Sequence, residues 1–261
     1  GNSAFEGCTG LRAVTFNVGM SSIGENAFRG CERLTALYIP DSVSSIGSYA
    51  FYNCKKLTNI NYPMGWTAAG SSGNIFAGTP LDTLEIPEGI TQIPAYAFAN
   101  CTNLIHFTLP QSLTNINNYA FSGCTGLTEM VISTAVESIG DRAFNGCTKL
   151  ASVTLNDGLQ SIGENVFYGC TKLTEMIIPS SVESIGTGAF NGCTELAGVT
   201  LNNGLKSIGE SAFRNCTKLS SMYIPDSVTS IGCYAFINCE QLAEMNYPVG
   251  WTTVTGLTNS I

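Results

Sequence analysis

Eleven cysteines are the side chains of this sequence with the greatest capacity for covalent or metal chemistry. Ten of them recur at one position of a repeat: Cys8, Cys31, Cys54, Cys101, Cys124, Cys147, Cys170, Cys193, Cys216 and Cys239. Stacked copies of one position point in the same direction, which is poor geometry for a disulfide bridge. No C-x-x-C pair and no neighbouring His and carboxylate ligands occur, so the sequence predicts neither a metal site nor a cofactor. We expect a ladder of buried thiols, with Cys233, off the ladder, as the most exposed and reactive thiol.

His106 is the only histidine, and it falls at an outward strand position between Leu104 and Phe107. No second histidine and no Ser or Cys nucleophile stands in a matching arrangement, although a Cys–His dyad stays open as an alternative. Paired carboxylates and a glycine-rich phosphate loop are also missing from the sequence. The sequence therefore predicts a non-enzymatic protein with His106 as a polar surface residue.

Tryptophan occurs twice, as Trp66 and Trp251, in the nearly identical segments 61–67 and 246–252. Each Trp stands three residues after a Pro, where the other units place an inward Val. One interpretation is a larger side chain that fills the core. The other is an aromatic side chain displayed to a partner by the loop at 67–74, which is rich in Gly and Ser.

Tandem repeats must position all of these residues. Phenylalanine recurs every 23 residues, except for intervals of 25 and then 22 around Phe76. Cys follows each Phe by three residues, with Thr79 as the exception, and Leu follows by six, one place early at Leu81. A second period of 46 residues alternates units that contain Met-x-Ile-Pro with units that contain Val-Thr-Leu-Asn. Such a fixed period is the signature of a repeat architecture.

The spacing within one unit predicts a single coil of a solenoid. Apolar residues alternate in the segment before the Pro, which is typical of a short half-buried strand, and the Pro ends the strand because it has no N–H to donate. The following V-x-x-I-G turns the chain, and A-F-x-G-C returns it along the other wall. One coil cannot bury its apolar face alone, whereas stacked coils form continuous internal ladders of Phe, Leu and Ile.

The segments A-F-x-G-C-x-x-L and I-P-x-x-V-x-x-I-G, as in 27–47 and 212–232, resemble the BspA-type leucine-rich repeats over essentially the whole chain. The resemblance implies a mainly β leucine-rich-repeat solenoid, a right-handed arc of about eleven repeats. It also implies a parallel sheet on the concave face, with short strands and turns on the convex face. Members of that family are secreted or cell-surface proteins, and several are implicated in adhesion to host matrix proteins such as fibronectin and fibrinogen.

The composition excludes several classes of protein. With 44% hydrophobic and 11% charged residues, the chain has enough apolar surface to fold. It has no apolar run long enough to span a membrane, so we expect no membrane insertion by these residues, and no secretion signal opens them. Asp and Glu number 19 against 11 Lys and Arg, which argues against nucleic acid as a partner.

The concave face is the predicted binding surface. Its candidate protein-binding residues are Tyr38, Glu85, Glu129, Val131, Glu175, Ile177, Tyr223 and Glu244. Basic residues one position before the repeat Leu form a predicted rim: Arg33, Lys56, Lys149, Lys172 and Lys218. Aromatic side chains among complementary charges are common at interfaces. An ordinary solvated surface is the alternative, because Ser and Thr at these positions also favour strands.

The sequence thus predicts a protein-binding module of a secreted or cell-surface protein, engaged in adhesion to host or neighbouring-cell proteins. The alternative is a structural stalk that displays another domain. We expect one solenoid over 1–261 with an irregular repeat at about 61–87, cut at both ends because residue 1 begins within a unit. Without polar capping units, its end faces would favour end-to-end self-association.

Overall fold

The structure is a computed structural model, and it describes residues 1–70, 73–246, 249 and 253–254. In this part of the chain, short parallel strands alternate between two walls of a solenoid. Residues that pair between adjacent coils are one 23-residue repeat apart in the sequence. The described residues form no helix, and therefore none that could cross a membrane. The expected β-solenoid is confirmed.

The first wall, here called the front face, carries the strands that the sequence places on the concave side. They are β2 (Ala36–Leu37), β4 (Asn59–Ile60), β6 (Thr83–Glu85), β8 (His106–Thr108), β10 (Glu129–Val131), β12 (Ser152–Thr154), β14 (Glu175–Ile177), β16 (Gly198–Thr200), β18 (Ser221–Met222) and β20 (Glu244–Met245). Their middle or second residue points into the core and the flanking residues face outward, as alternation in a strand requires.

The second wall, the back face, is built from the Ser-Ile segments before the turn. Its strands are β1 (Ser22–Ile23), β3 (Ser45–Ile46), β5 (Ala68–Ala69), β7 (Gln92–Ile93), β9 (Asn115–Ile116), β11 (Ser138–Ile139), β13 (Ser161–Ile162), β15 (Ser184–Ile185), β17 (Ser207–Ile208), β19 (Ser230–Ile231) and β21 (Thr253–Val254). Strands β7 to β21 form one eight-stranded parallel sheet, whereas β1, β3 and β5 form a separate sheet of three.

The front strands pair two by two, as β2–β4, β6–β8, β10–β12, β14–β16 and β18–β20. This grouping follows the 46-residue period of the sequence. In the β2–β4 pair the second coil contributes an Asn that binds the backbone of the first: Asn61 Oδ1 accepts from the N–H of Ile39 at 2.7 Å, and its Nδ2 donates to the Ile39 carbonyl at 2.9 Å. Asn246 binds Ile224 in the same way. These side chains clamp two coils into one unit.

Phenylalanine rings form the centre of the core. Ten consecutive pairs, from Phe5–Phe28 to Phe213–Phe236, stack with centroids 5.1–6.2 Å apart and planes within 18° of parallel. A buried Phe contributes roughly 1.5–3 kcal/mol of transfer free energy. Since each ring contacts one in the coil before and one in the coil after, the stack links coils that are distant in sequence.

Tight packing between coils depends on the glycine that follows the back strand. A Cβ added at Gly209 would lie 2.6 Å from the carbonyl carbon of Gly186 in the previous coil, closer than real Cβ atoms approach. The Gly209 N–H donates to the carbonyl of Ile185 at 2.8 Å. The coils are therefore in backbone contact here, and only glycine leaves room for it.

One junction between coils differs from the others. No backbone–backbone hydrogen bond joins residues 59–81 to residues 82–104 among the described residues: β4 is not paired with β6, β5 is not paired with β7, and the Phe76 N–H makes no bond to the next coil. We call this junction the split step. It falls inside the irregular repeat, and Pro94 stands there in place of the usual glycine.

Candidate functional site

All eight residues predicted for the binding surface lie exposed on the front face. The four large apolar ones, Tyr38, Val131, Ile177 and Tyr223, are 65–67% exposed. The strands hold Val131 beside Thr154 and Ile177 beside Thr200, so apolar side chains recur on every second coil with Thr between them. This arrangement leaves apolar surface in water without a covering element in the described chain.

The predicted basic rim is partly neutralised. Glu195 occupies the same repeat position between Lys172 and Lys218, and its carboxylate pairs with the Lys218 ammonium. The hydrogen bond from Lys218, helped by the nearby charge of Lys172, holds the pKa of Glu195 below its ordinary value. Lys55, next to Lys56, pairs with Glu32 at 2.6 Å. The charges of the rim are therefore mixed rather than of one sign.

The thiol ladder is buried as expected, from Cys31 to Cys216. Each regular Cys Sγ donates to the carbonyl of the Phe 26 residues earlier, as Cys147 does to Phe121 at 3.2 Å. Burial raises the pKa of Cys54, Cys101, Cys147 and Cys193 to about 12, and that of Cys239 to about 11. These thiols are protonated and inert near neutral pH.

The expectation for Cys233 is wrong. Cys233 is only half-exposed, and the exposed thiol is Cys8, in the first coil. Cys8 belongs to the ladder, but the sequence has no earlier coil with a Phe 26 residues before it, and the surface of its own coil is largely exposed. The repeat position alone therefore does not decide the burial of a thiol.

Trp66 fills the core, as the first interpretation of the tryptophans predicts, and is 2% exposed. Its ring packs edge-on between Phe76 at 6.2 Å and Phe98 at 5.7 Å. Tyr62 packs beside it at 5.1 Å, and the Tyr62 hydroxyl crosses the split step to donate to the Gln92 carbonyl at 3.4 Å. Trp251 lies outside the described residues.

These two large side chains stand where regular coils have Ile and Val, and they act as a wedge. The Phe76–Phe98 distance is 6.2 Å, the longest in the stack. At this junction Thr79 Oγ1 donates at 2.6 Å to the Phe76 carbonyl. At the regular steps the equivalent Phe carbonyl accepts instead from a Cys of the next coil, as Phe98 does from Cys124. The wedge thus keeps the core filled while the two neighbouring coils are separated on both the front and the back face.

Three hollows on the front face lie at the split step or one coil beyond it. The largest, of about 890 Å³, extends over β4, β6 and β8, and its lining includes Ile60, Glu85 and His106. A second, of about 410 Å³, shares Ile60 and Glu85 and reaches Asp41. A third, of about 290 Å³, shares His106 and reaches Glu129. Together they form one trough across β4, β6, β8 and β10.

The trough is acidic. Asp41, Glu85, Glu88 and Glu129 line it, and no Lys or Arg does. Asp41 accepts from the Met64 N–H, and Glu88 accepts from two backbone N–H groups at the next coil. Glu85 and Glu129 form no ion pair with any described residue. Their charges face open solvent.

The repeat pattern does not predict the trough, because each deviation from the consensus, taken alone, is compatible with a regular coil. A signal was present in the charge distribution. Residues 57–141 contain six Asp or Glu and neither Lys nor Arg, although the whole chain has 11 basic residues. His106, predicted as a surface residue, is exposed and lies in the trough. The described residues bring together no group of three or more His, Cys, Asp or Glu that could hold a metal ion.

Comparison with known proteins identifies the family. The family described as "BspA type Leucine rich repeat region", in six copies, matches residues 1–73, 72–176 and 160–257, and the chain belongs to it. No curated protein matches.

Three solved structures illustrate the similarity. A leucine-rich repeat protein from Bacteroides ovatus is 29% identical, with 89% of this chain and 77% of that one covered and a TM-score of 0.49. A leucine rich cell surface protein from Faecalibacterium prausnitzii is 28% identical, with 90% and 85% covered and a TM-score of 0.46. The pneumococcal vaccine antigen PcpA is 19% identical, with 86% and 67% covered; its TM-score of 0.56 supports the fold alone.

Proposed function

We propose that this chain is a non-enzymatic, protein-binding part of a secreted or cell-surface protein, and that its front face adheres to proteins of a host or of neighbouring cells. The observation that carries this proposal is the exposure of large apolar side chains on the front face: Tyr38 before the split step, and Val131, Ile177 and Tyr223 on alternate coils after it. Large apolar and aromatic side chains displayed on a rigid surface are the usual anchors of protein interfaces.

Family membership supports the location and the class of partner. One similar structure is titled a cell surface protein, and BspA-type repeats are typical of such proteins. Host matrix proteins such as fibronectin and fibrinogen are the first ligands to test. The candidate residues are Tyr38, Glu85, Glu129, Val131, Glu175, Ile177, Tyr223 and Glu244, all of which lie on this face.

The test is binding of the purified chain to immobilised fibronectin, fibrinogen and other matrix proteins. The variant Tyr38→Ala/Ile177→Ala/Tyr223→Ala should lose saturable binding by at least about tenfold, because interface anchors of this kind each contribute more than about 1 kcal/mol. Val18→Ala/Tyr168→Ala is the matched control, since both side chains are exposed and apolar but lie in turns away from the front strands.

Equal loss in both variants would contradict a front-face site. Absence of binding to every matrix protein would remove this class of ligand and favour the stalk. The eight-stranded back sheet is the observation that suits a stalk, because its hydrogen bonds run through eight successive coils.

A further inference from the structure

At the split step two strand edges face a groove instead of each other. The β4 edge at Asn59–Ile60 and the β6 edge at Thr83–Glu85 share no backbone hydrogen bond, and the 890 Å³ hollow extends over both strands and onto β8. Every other neighbouring pair of front strands lies in close contact. A groove of this volume is within the range of ligand sites.

The electrostatic field at the trough favours a cationic ligand. The 57–141 segment, which contains most of the trough, has six acidic side chains and no Lys or Arg, so no internal cation screens them within that segment. Clefts lined by charge of one sign concentrate ligands of the opposite sign. The unpaired carboxylates of Glu85 and Glu129 are the groups available to such a ligand.

The shape of the trough favours a peptide over a small cation. It crosses four strands, which at roughly 4.8 Å per strand corresponds to about 15 Å. An extended chain covers that distance with about five residues at roughly 3.3 Å each. No group of ligating side chains suited to a metal ion occurs in the described residues. The length and the charge of the trough therefore agree on an extended cationic peptide as the occupant.

We propose that the trough binds an extended segment of a partner protein rich in Lys or Arg, with Glu85 and Glu129 paired to its cations. Tyr62 and Trp66 create the site by holding the coils apart. This inference deepens the proposed function, because it assigns a partner chemistry to one part of the front face. It rests on that function only in requiring a protein ligand.

The probe is a fluorescein-labelled heptapeptide that alternates Lys and Ser, with a Glu–Ser heptapeptide as its counterpart. Fluorescence anisotropy should show saturable binding of the Lys peptide alone. Because the interaction is between exposed charges, its dissociation constant should rise steeply between low and physiological salt. Absence of saturable binding at low salt, or equal binding of the Glu peptide, overturns the proposal.

Matched charge variants locate the site. Glu85→Gln/Glu129→Gln should weaken binding about tenfold, since an exposed ion pair contributes up to about 1 kcal/mol and two are removed. Glu175→Gln/Glu244→Gln removes the same charge from the front face outside the trough, and should weaken binding by less than about twofold because of screening. Equal effects of the two variants would show attraction by net charge alone and overturn the site.

The wedge variant Tyr62→Ile/Trp66→Val restores the residues of a regular coil without changing the charge. If the groove is required, this variant should lose Lys-peptide binding while circular dichroism shows a folded solenoid. Full binding by the folded variant overturns the role of the groove, and if it does not fold, the charge variants decide. Ile177→Ala/Tyr223→Ala should bind the peptide normally, so the matrix-binding proposal and this one can fail separately.

Discussion

The regular coils between β10 and β19 and the split step contain the same Phe stack, but their coils are joined differently. In the regular region the Phe144 N–H donates to the Val166 carbonyl at 3.0 Å, and Cys170 Sγ donates to the Phe144 carbonyl. At the split step the polar links are side chains: Tyr62 to Gln92, Asn100 to Asn74 and Asn103 to Thr79.

The difference shows that a solenoid keeps its core more readily than its backbone ladder. Apolar burial is non-directional, so two oversized rings are accommodated by spacing the coils further apart. Backbone hydrogen bonds need donor and acceptor within about 3.2 Å and are lost at once. The segments before and after the split step are therefore joined by packing and a few side-chain bonds, and four changes test this division.

Alkaline pH should have the largest effect, and it should act mainly after the split step. That segment buries six thiols, from Cys101 to Cys216, against Cys31 and Cys54 before it. Burial raises the pKa of these thiols above 9.0, to about 12 for Cys147. Their contribution to the free energy of unfolding is therefore complete below about pH 9 and is lost as the pH rises through the pKa of the folded state. Each thiol then lowers the free energy of unfolding by about 1.4 kcal/mol per pH unit.

Urea unfolding followed by far-UV circular dichroism between pH 8 and pH 11, with reductant present, measures this loss. Cys147→Ala should make the pH dependence shallower by one such thiol contribution. An unchanged slope in that variant would show that the ladder thiols do not control the alkaline transition.

Phe144→Ala should destabilise the regular region by about 3–5 kcal/mol, since it removes a fully buried ring stacked on both sides. Hydrogen exchange measured by mass spectrometry should show lost protection in residues 82–246. Protection in 23–70 should persist, because no backbone hydrogen bond between described residues crosses the split step. Equal loss on both sides would mean that the solenoid unfolds as one unit.

Gly209→Ala should cost about 1–3 kcal/mol, because its Cβ would overlap the Gly186 backbone. The corresponding position after the split step is Pro94, where Pro94→Gly removes a rigid residue without relieving any clash and should cost at most about 1 kcal/mol. Thermal unfolding of the two variants measures both values. A larger cost for Pro94→Gly would contradict the looser packing of this junction.

Asn103→Ala should have the smallest effect, about 1 kcal/mol, by removing the 2.8 Å bond to the Thr79 carbonyl across the split step. Thr171→Val removes a comparable side-chain bond to the Thr148 carbonyl in the regular region. There the backbone ladder holds the coils, so we expect a change near zero in urea unfolding. The comparison fails if the two variants are equally destabilised.

Much of the fold could be predicted from the sequence. The recurrence of Phe, Cys and Leu predicted the buried ladders, and a core position for Trp66 was one of the two interpretations of the Val-to-Trp replacement. The 46-residue period corresponds to the pairing of front strands. The outward positions of Tyr38 and Ile177 also followed, because side chains alternate along a strand.

The trough could not be predicted in this way. It arises where Tyr62, Trp66, Thr79 and Pro94 depart from the repeat together, and each departure alone is compatible with a regular coil. Cys8 and Cys233 show the same limit, because their exposure depends on what neighbouring coils cover. The trough and the exposure of a thiol depend on how the side chains of two neighbouring coils fill the space between them, and not on the type of residue at one position.

The sequence by itself determined the coil: its length, its inward residues and the face on which each outward residue lies, because the same local pattern is repeated at a fixed period. The tertiary structure decided the distance between coils. That distance is set by the fit of Tyr62 and Trp66 against Phe98, and it places Glu85, His106 and Glu129 along one open trough.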